Sequence, residues 1–223
     1  MLVIGIDPGT GRSSPTGIAV YHSETRKIVY TARITTEFTL EHHVIKDLAD
    51  KLGKHLKYAT KLREVQFLVG CETFVIKGKA GQILQRLIGA FLTRIPFNWT
   101  FISVFNTTMK RIVGGHGKAE KIQVAEELLK QFAKCPYSVN YIKDLIDMKR
   151  WDETDALGIA LCAETLYIGE QAREKVRERK YAAQQRGKKG PDELHDIQKF
   201  EAASDRIYYK TRRAKRRSRA PIR

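Results

Sequence analysis

Five short runs rich in β-branched residues constrain the fold of this chain most. Leu2–Ile6, Thr16–Tyr21 and Lys27–Thr35 crowd into the first thirty-five positions, whereas Val65–Cys71 and Thr100–Val104 are set apart by helical stretches. Strands that arrive first as neighbours and then alternate with helices predict an antiparallel three-strand meander within an α/β layered domain, a mixed five-stranded sheet flanked by helices. The third run alternates Ile28, Tyr30, Ala32 and Ile34 against Lys27, Val29, Thr31 and Arg33, the period of a strand with two unlike faces. Leu40, Val44, Leu48, Leu52 and Leu56 form the stripe of an amphipathic helix over 40–58. Further helices are expected over Ala80–Thr93, Thr107–Val113, Ala119–Ala133 and Glu153–Glu170, and Cys135–Arg150, with Pro136 and Asn140, reads as an irregular surface loop.

Composition changes after residue 170, which divides the chain into a domain over 1–170 and a basic, partly helical C-terminal extension over 171–223. The extension carries 18 Lys+Arg against 7 Asp+Glu, a net +11 of the chain's total +16. Such an excess points to a polyanionic partner. Within the extension, Gly187–Pro191 is a break, Leu194, Ile197, Phe200 and Ile207 fall near one face of a second helix, and Lys210–Arg219 is almost entirely basic. A membrane span is not expected, because the most apolar stretch, Ile83–Trp99, is interrupted by Arg86 and Arg94. Nor is a leader read in Met1–Ile6, which runs straight into Asp7-Pro8-Gly9. Cys71, Cys135 and Cys162 are odd in number and widely spaced, so reduced thiols and a cytoplasmic location are expected rather than a disulfide scaffold or a zinc site.

Four carboxylates make chemical sense only when the elements are assembled. Asp7 ends the first strand, and Glu72 ends the strand expected beside it. Asp152 and Asp155 open the last core helix with the i, i+3 spacing of a shared face. Four acids converging in a basic protein call for neutralisation, which hard divalent cations with oxygen ligands provide. Mg²⁺ fits, and two such ions suit phosphodiester hydrolysis. Each acid alone has a plainer explanation: Asp7 as a turn residue before Pro-Gly, Asp152 as a helix cap, and Glu72 as a solvated strand end. The glycine-rich segments Gly9–Gly11 and Gly114–Lys118 fit neither phosphate-loop pattern, and they read better as permissive turns beside a nucleic-acid strand.

These residues resemble, in order, the motifs of the RuvC Holliday-junction resolvases over about residues 1–169. The resemblance is carried by Ile4–Gly9, Thr16–Val20, Cys71–Phe74, Met109–Gly114, Gly117–Val124 and Asp152–Leu157. It implies a ribonuclease-H-like fold, a homodimer, and symmetric cutting of two strands of a four-way DNA junction with Mg²⁺ or Mn²⁺, a reaction of DNA recombination and repair. It places the catalytic, metal-binding acids on Asp7, Glu72, Asp152 and Asp155 and the cleft lysines on Lys110 and Lys121, with Lys121 expected to be catalytic and Lys110 to contact DNA. Lys118, Arg111 and Phe74, with Lys210, Arg212 and Arg213 of the extension, are the further expected DNA contacts. Val75 stands where bacterial members place a base-unstacking aromatic, and the extension is unlike compact bacterial members, which suits a phage-encoded one. Three rivals share the same residues: a related nuclease cutting flaps, forks or RNA-containing duplexes, a non-catalytic DNA-binding architectural protein, and an actin-like ATPase. The last lacks a second phosphate motif.

Overall fold

The computed structural model describes residues 1–11, 14–62, 66–74 and 78–185. Its centre is β1 (Leu2–Asp7), in which Leu2, Val3, Ile4 and Ile6 are all buried, as a strand with neighbours on both edges and layers on both faces requires. β2 (Thr16–His22) pairs antiparallel with β1, and β3 (Ile28–Ile34) pairs antiparallel with β2. β4 (Phe67–Thr73) lies parallel to β1 on the other edge, followed by parallel β5 (Thr100–Phe105). The order β3-β2-β1-β4-β5 gives the expected meander and the expected mixed five-stranded sheet.

One face is covered by α1 (Glu41–Thr60) and α2 (Gly78–Leu92). Val44, Leu48, Leu52 and Leu56 of the predicted stripe are buried there against Ile4, Ile6, Val20 and Val69, while Leu40 stands exposed ahead of the first turn. The opposite face receives the first part of α6 (Trp151–Gln185) at very short range. A Cβ at Gly5 would lie 1.8 Å from the Ala156 carbonyl oxygen, so only glycine lets the helix settle here. Ala156, Ala160 and Ala163 present small buried side chains along the same contact. Further along, Tyr21 Oη donates a 2.7 Å hydrogen bond to Glu164 Oε2 and Arg26 pairs with the same carboxylate, pinning α6 to β2.

Two sequence expectations are corrected. Cys135–Arg150 is not an irregular loop: α5 (Pro136–Asp147) occupies most of it. Pro136 stands in the first turn, where its missing N–H costs nothing, and Ser138, Ile142 and Leu145 form a buried stripe at helical spacing. The Ser138 hydroxyl accepts a 2.9 Å hydrogen bond from the Ile28 amide, tying α5 to the start of β3. The last core helix also passes Glu170 and runs to Gln185, because the Arg, Glu and Lys residues after Glu170 change composition without lowering helix propensity.

Between β5 and α6 lie α3 (Asn106–Ile112) and α4 (Lys121–Gln131). Two compact units are distinguished, Met1–Glu164 and Thr165–Arg223. The second helix expected in the extension, with Leu194, Ile197, Phe200 and Ile207, lies outside the described residues. Cys71, Cys135 and Cys162 are free thiols. Among the described residues no helix is long and apolar enough to cross a membrane.

Candidate active site

The pairing of β1 with β4 brings the first two acids together. Their parallel register runs through Ile6 opposite Cys71, so Asp7 and Glu72 come side by side at the strand ends. Alternation along each strand fixes the face: Asp7 is two residues past Gly5 and Glu72 two past Gly70, and both glycines lie against α6. Glu72 is almost fully buried, and Asp7 is half-buried in hydrogen-bond contact with it.

The other two acids come from the first turns of α6. Asp152 Oδ2 lies 3.1 Å from an Arg33 guanidinium nitrogen, and Asp155 Oδ2 lies 2.8 Å from Lys121 Nζ. Lys121 is the first residue of α4, whose start is set by a 2.9 Å bond from the Glu120 amide to the Gln123 side chain. Glu153, fully buried between the two aspartates, pairs with Arg150 and accepts from the Thr31 hydroxyl at 3.3 Å, which fixes the helix start against β3.

The charges of Glu72, Asp155 and Asp152 all act on Asp7. Burial first, then the hydrogen bond and charge of Glu72, then the charges of Asp155 and Asp152, push the Asp7 carboxyl up to about 10. Burial also raises Asp155, partly offset by Lys121 and Lys110. Burial acts to lower Lys121, yet the bond and charge of Asp155 prevail and raise it. Among the described residues Glu72 Oε1 is buried without a hydrogen-bond partner. As the side chains stand, no three His, Cys, Asp or Glu residues among those described are grouped to coordinate one ion. Asp152 and Asp155 are engaged by Arg33 and Lys121 instead. A stranded buried oxygen and the acid charges that act on Asp7 nonetheless form a donor set suited to a hard divalent cation.

The remaining expected residues scatter around this centre. Lys110 and Arg111 lie on α3, with Lys110 close enough to Asp155 to act on its charge. Lys118 is exposed just ahead of α4, and His116 is an exposed residue of the same turn. Phe74 packs against the apolar core on the α1 and α2 side, away from α6. Val75, Lys210, Arg212 and Arg213 lie outside the described residues. Sequence reasoning missed Arg33, Arg150 and Glu153. The strand alternation already put Arg33 on one face with Thr31, but only the register could join that face to the acids.

No protein-family model and no curated protein matches the chain. Solved structures do. The Thermus thermophilus RuvC structure is 19% identical, covering 73% of this chain and 92% of its own, with a TM-score of 0.49. T. thermophilus RuvC in complex with a Holliday junction substrate is 16% identical over the same shares, with a TM-score of 0.52. What the chain shares with the latter is the fold: a mixed five-stranded sheet flanked by helices, in the ribonuclease-H-like arrangement of RuvC.

Proposed function

We propose that the chain is a divalent-metal-dependent, structure-selective endodeoxyribonuclease that resolves four-way DNA junctions by paired, symmetric nicks. The observation that carries this is the convergence of Asp7, Glu72, Asp152 and Asp155 on one face of the sheet in a chain of net charge +16. A basic protein has no structural need to gather four acids around a buried carboxylate oxygen that has no hydrogen-bond partner among the described residues.

Asp7, Glu72, Asp152 and Asp155 would hold two Mg²⁺ ions, or Mn²⁺ in their place, which supply charge neutralisation and an activated water for in-line attack on phosphorus. The chain's own cations do the rest. Lys121 and Lys110 sit beside the acids, placed to offset negative charge that grows on the scissile phosphate. Arg111 and Lys118 extend this positive border along α3 and the turn before α4, where strand phosphates would be held without reading sequence. Two opposed phosphodiesters of one junction are cut most simply by a homodimer with two sites about a two-fold axis. Reduced thiols and this substrate suit the cytoplasm of a bacterium, or of the host of a phage encoding the protein.

The test is cleavage of a four-way junction labelled in turn on each strand, with Mg²⁺ and with EDTA. Symmetric paired nicks that require the cation and vanish in Asp155→Asn are expected. Unpaired nicks, or equal cutting of flaps and forks, would move the assignment to a related nuclease of the same fold.

A further inference from the structure

Arg33 occupies a place that neither the acids nor the cleft lysines explain. It pairs with Gly17 on β2, and Gly17 pairs with Asp7 on β1. Directly opposed residues of antiparallel strands share a face, so Arg33, Gly17 and Asp7 form one row across three strands on the side that α6 covers. The middle of that row has no side chain, and a Cβ at Gly17 would lie 2.0 Å from the Asp152 carbonyl oxygen. The start of α6 fills the gap, and Arg33 reaches it from the β3 side to contact Asp152.

Two arginines therefore grip this helix start, and burial separates their roles. The partner of Arg150 is Glu153, whose side chain is 0% exposed and is also bonded to Thr31. Breaking that pair would strand a charge in the interior, so it is a fixed part of the fold. Arg33 and Asp152 are 42% and 23% exposed, and a pair so open to water is held weakly. Glu153 is already satisfied by Arg150, leaving Asp152 as the carboxylate that Arg33 engages.

We propose that Arg33 is an exchangeable counter-charge: it holds Asp152 in the cation-free protein, competes with the divalent cation for that carboxylate, and when released binds a phosphate of the DNA strand. This rests on the nuclease reading of the four acids. A guanidinium suits both partners, since its planar fork matches carboxylate and phosphate oxygens alike.

The test uses the full chain and Mn²⁺ alone as the first probe, followed by calorimetry. Arg33→Ala should bind Mn²⁺ about two- to fivefold more tightly than the unaltered protein, the span an exposed ion pair allows. Arg33→Lys should fall between the two, and Asp152→Asn should weaken binding. In the second arm, affinity for a four-way junction is followed over a salt series with Ca²⁺ and with EDTA. With Ca²⁺, Arg33→Ala should bind more weakly, with a slope of log K against log salt shallower by about 0.9, one phosphate contact. With EDTA the slope should not change. Mn²⁺ affinity that is unchanged or weaker in Arg33→Ala, or an equal slope loss with and without Ca²⁺, overturns the exchange while leaving the nuclease reading in place. If the unaltered protein takes up no Mn²⁺, the reading of the acids falls and the exchange with it.

Discussion

Asp7→Asn should stabilise the cation-free protein. The Asp7 carboxyl ordinarily titrates near 3.8 and is pushed up to about 10 in the fold, by burial and then by Glu72, Asp155 and Asp152, with Lys121 the facing cation. Between those values the folded chain binds a proton that the unfolded chain has released. Its contribution to stability is therefore full below about pH 3.8 and is lost progressively as pH rises toward about 10. At pH 7 roughly three pH units of that window have been crossed, and at ~1.4 kcal/mol each they set a ceiling of about 4 kcal/mol. The amide removes the charge but leaves a polar group buried, so it should recover about half of that ceiling, ~2 kcal/mol. For a domain of this size that is a rise of about 4–8 °C in Tm. The assay is thermal unfolding in EDTA and in millimolar Mg²⁺, from mildly acidic to mildly alkaline buffer. In EDTA the unaltered protein should lose stability as pH rises while Asp7→Asn changes less. Mg²⁺ should raise the Tm of the unaltered protein by mass action and scarcely move the variant. A variant less stable than its parent in EDTA, together with a parent indifferent to both pH and Mg²⁺, would refute the electrostatic account of the site.

Asp155→Asn should abolish cleavage and retain junction binding, because the amide keeps size but removes a ligand charge; a gel-shift assay beside a nicking assay decides it. Arg150→Ala should cost about 3–5 kcal/mol in denaturant unfolding, since the Glu153 carboxylate, 0% exposed, is left in the interior without its counter-charge. Gly5→Ala should displace α6 or prevent folding, read as loss of the cooperative thermal transition, because the new Cβ meets the Ala156 carbonyl oxygen. Truncation after Gly187 removes most of the basic excess of the extension and should weaken junction binding and flatten its salt dependence, with cleavage persisting at high protein concentration; an unchanged salt slope would show that the extension does not contact DNA.

Much of the site is legible in the sequence because each acid sits where an element starts or stops. Asp7 before Pro-Gly closes a buried strand, Glu72 follows another, and Asp152 and Asp155 share the first turns of a helix, so layered packing alone brings them to one end of the sheet. The errors have equally local causes. Pro136 and Asn140 look like loop residues until the buried spacing of Ser138, Ile142 and Leu145 is weighed against them. The charged run after Glu170 looks like a boundary, although Arg, Lys and Glu propagate a helix as readily as apolar residues do. The ion pairs were beyond reach for another reason: a strand's alternation gives the face of Arg33, but its partner depends on the β1–β2–β3 register and on how closely α6 approaches Gly17.

That difference separates two kinds of basic side chain in one small domain. Arg26 and Arg150 answer carboxylates that are all but sealed from water, Glu164 at 4% and Glu153 at 0% exposure, and no counter-charge could replace them without opening the fold. They hold α6 to the sheet. Arg33 and Lys121 answer carboxylates at the end of the sheet where the acids gather, and on the proposed reading an arriving cation would take the place of a side chain there. The fold thus fixes the position of α6 through one pair of cations and leaves the charge of its first turns adjustable through the other. On the proposed nuclease reading, Arg33 and Lys121 would answer Asp152 and Asp155 until a metal reaches them.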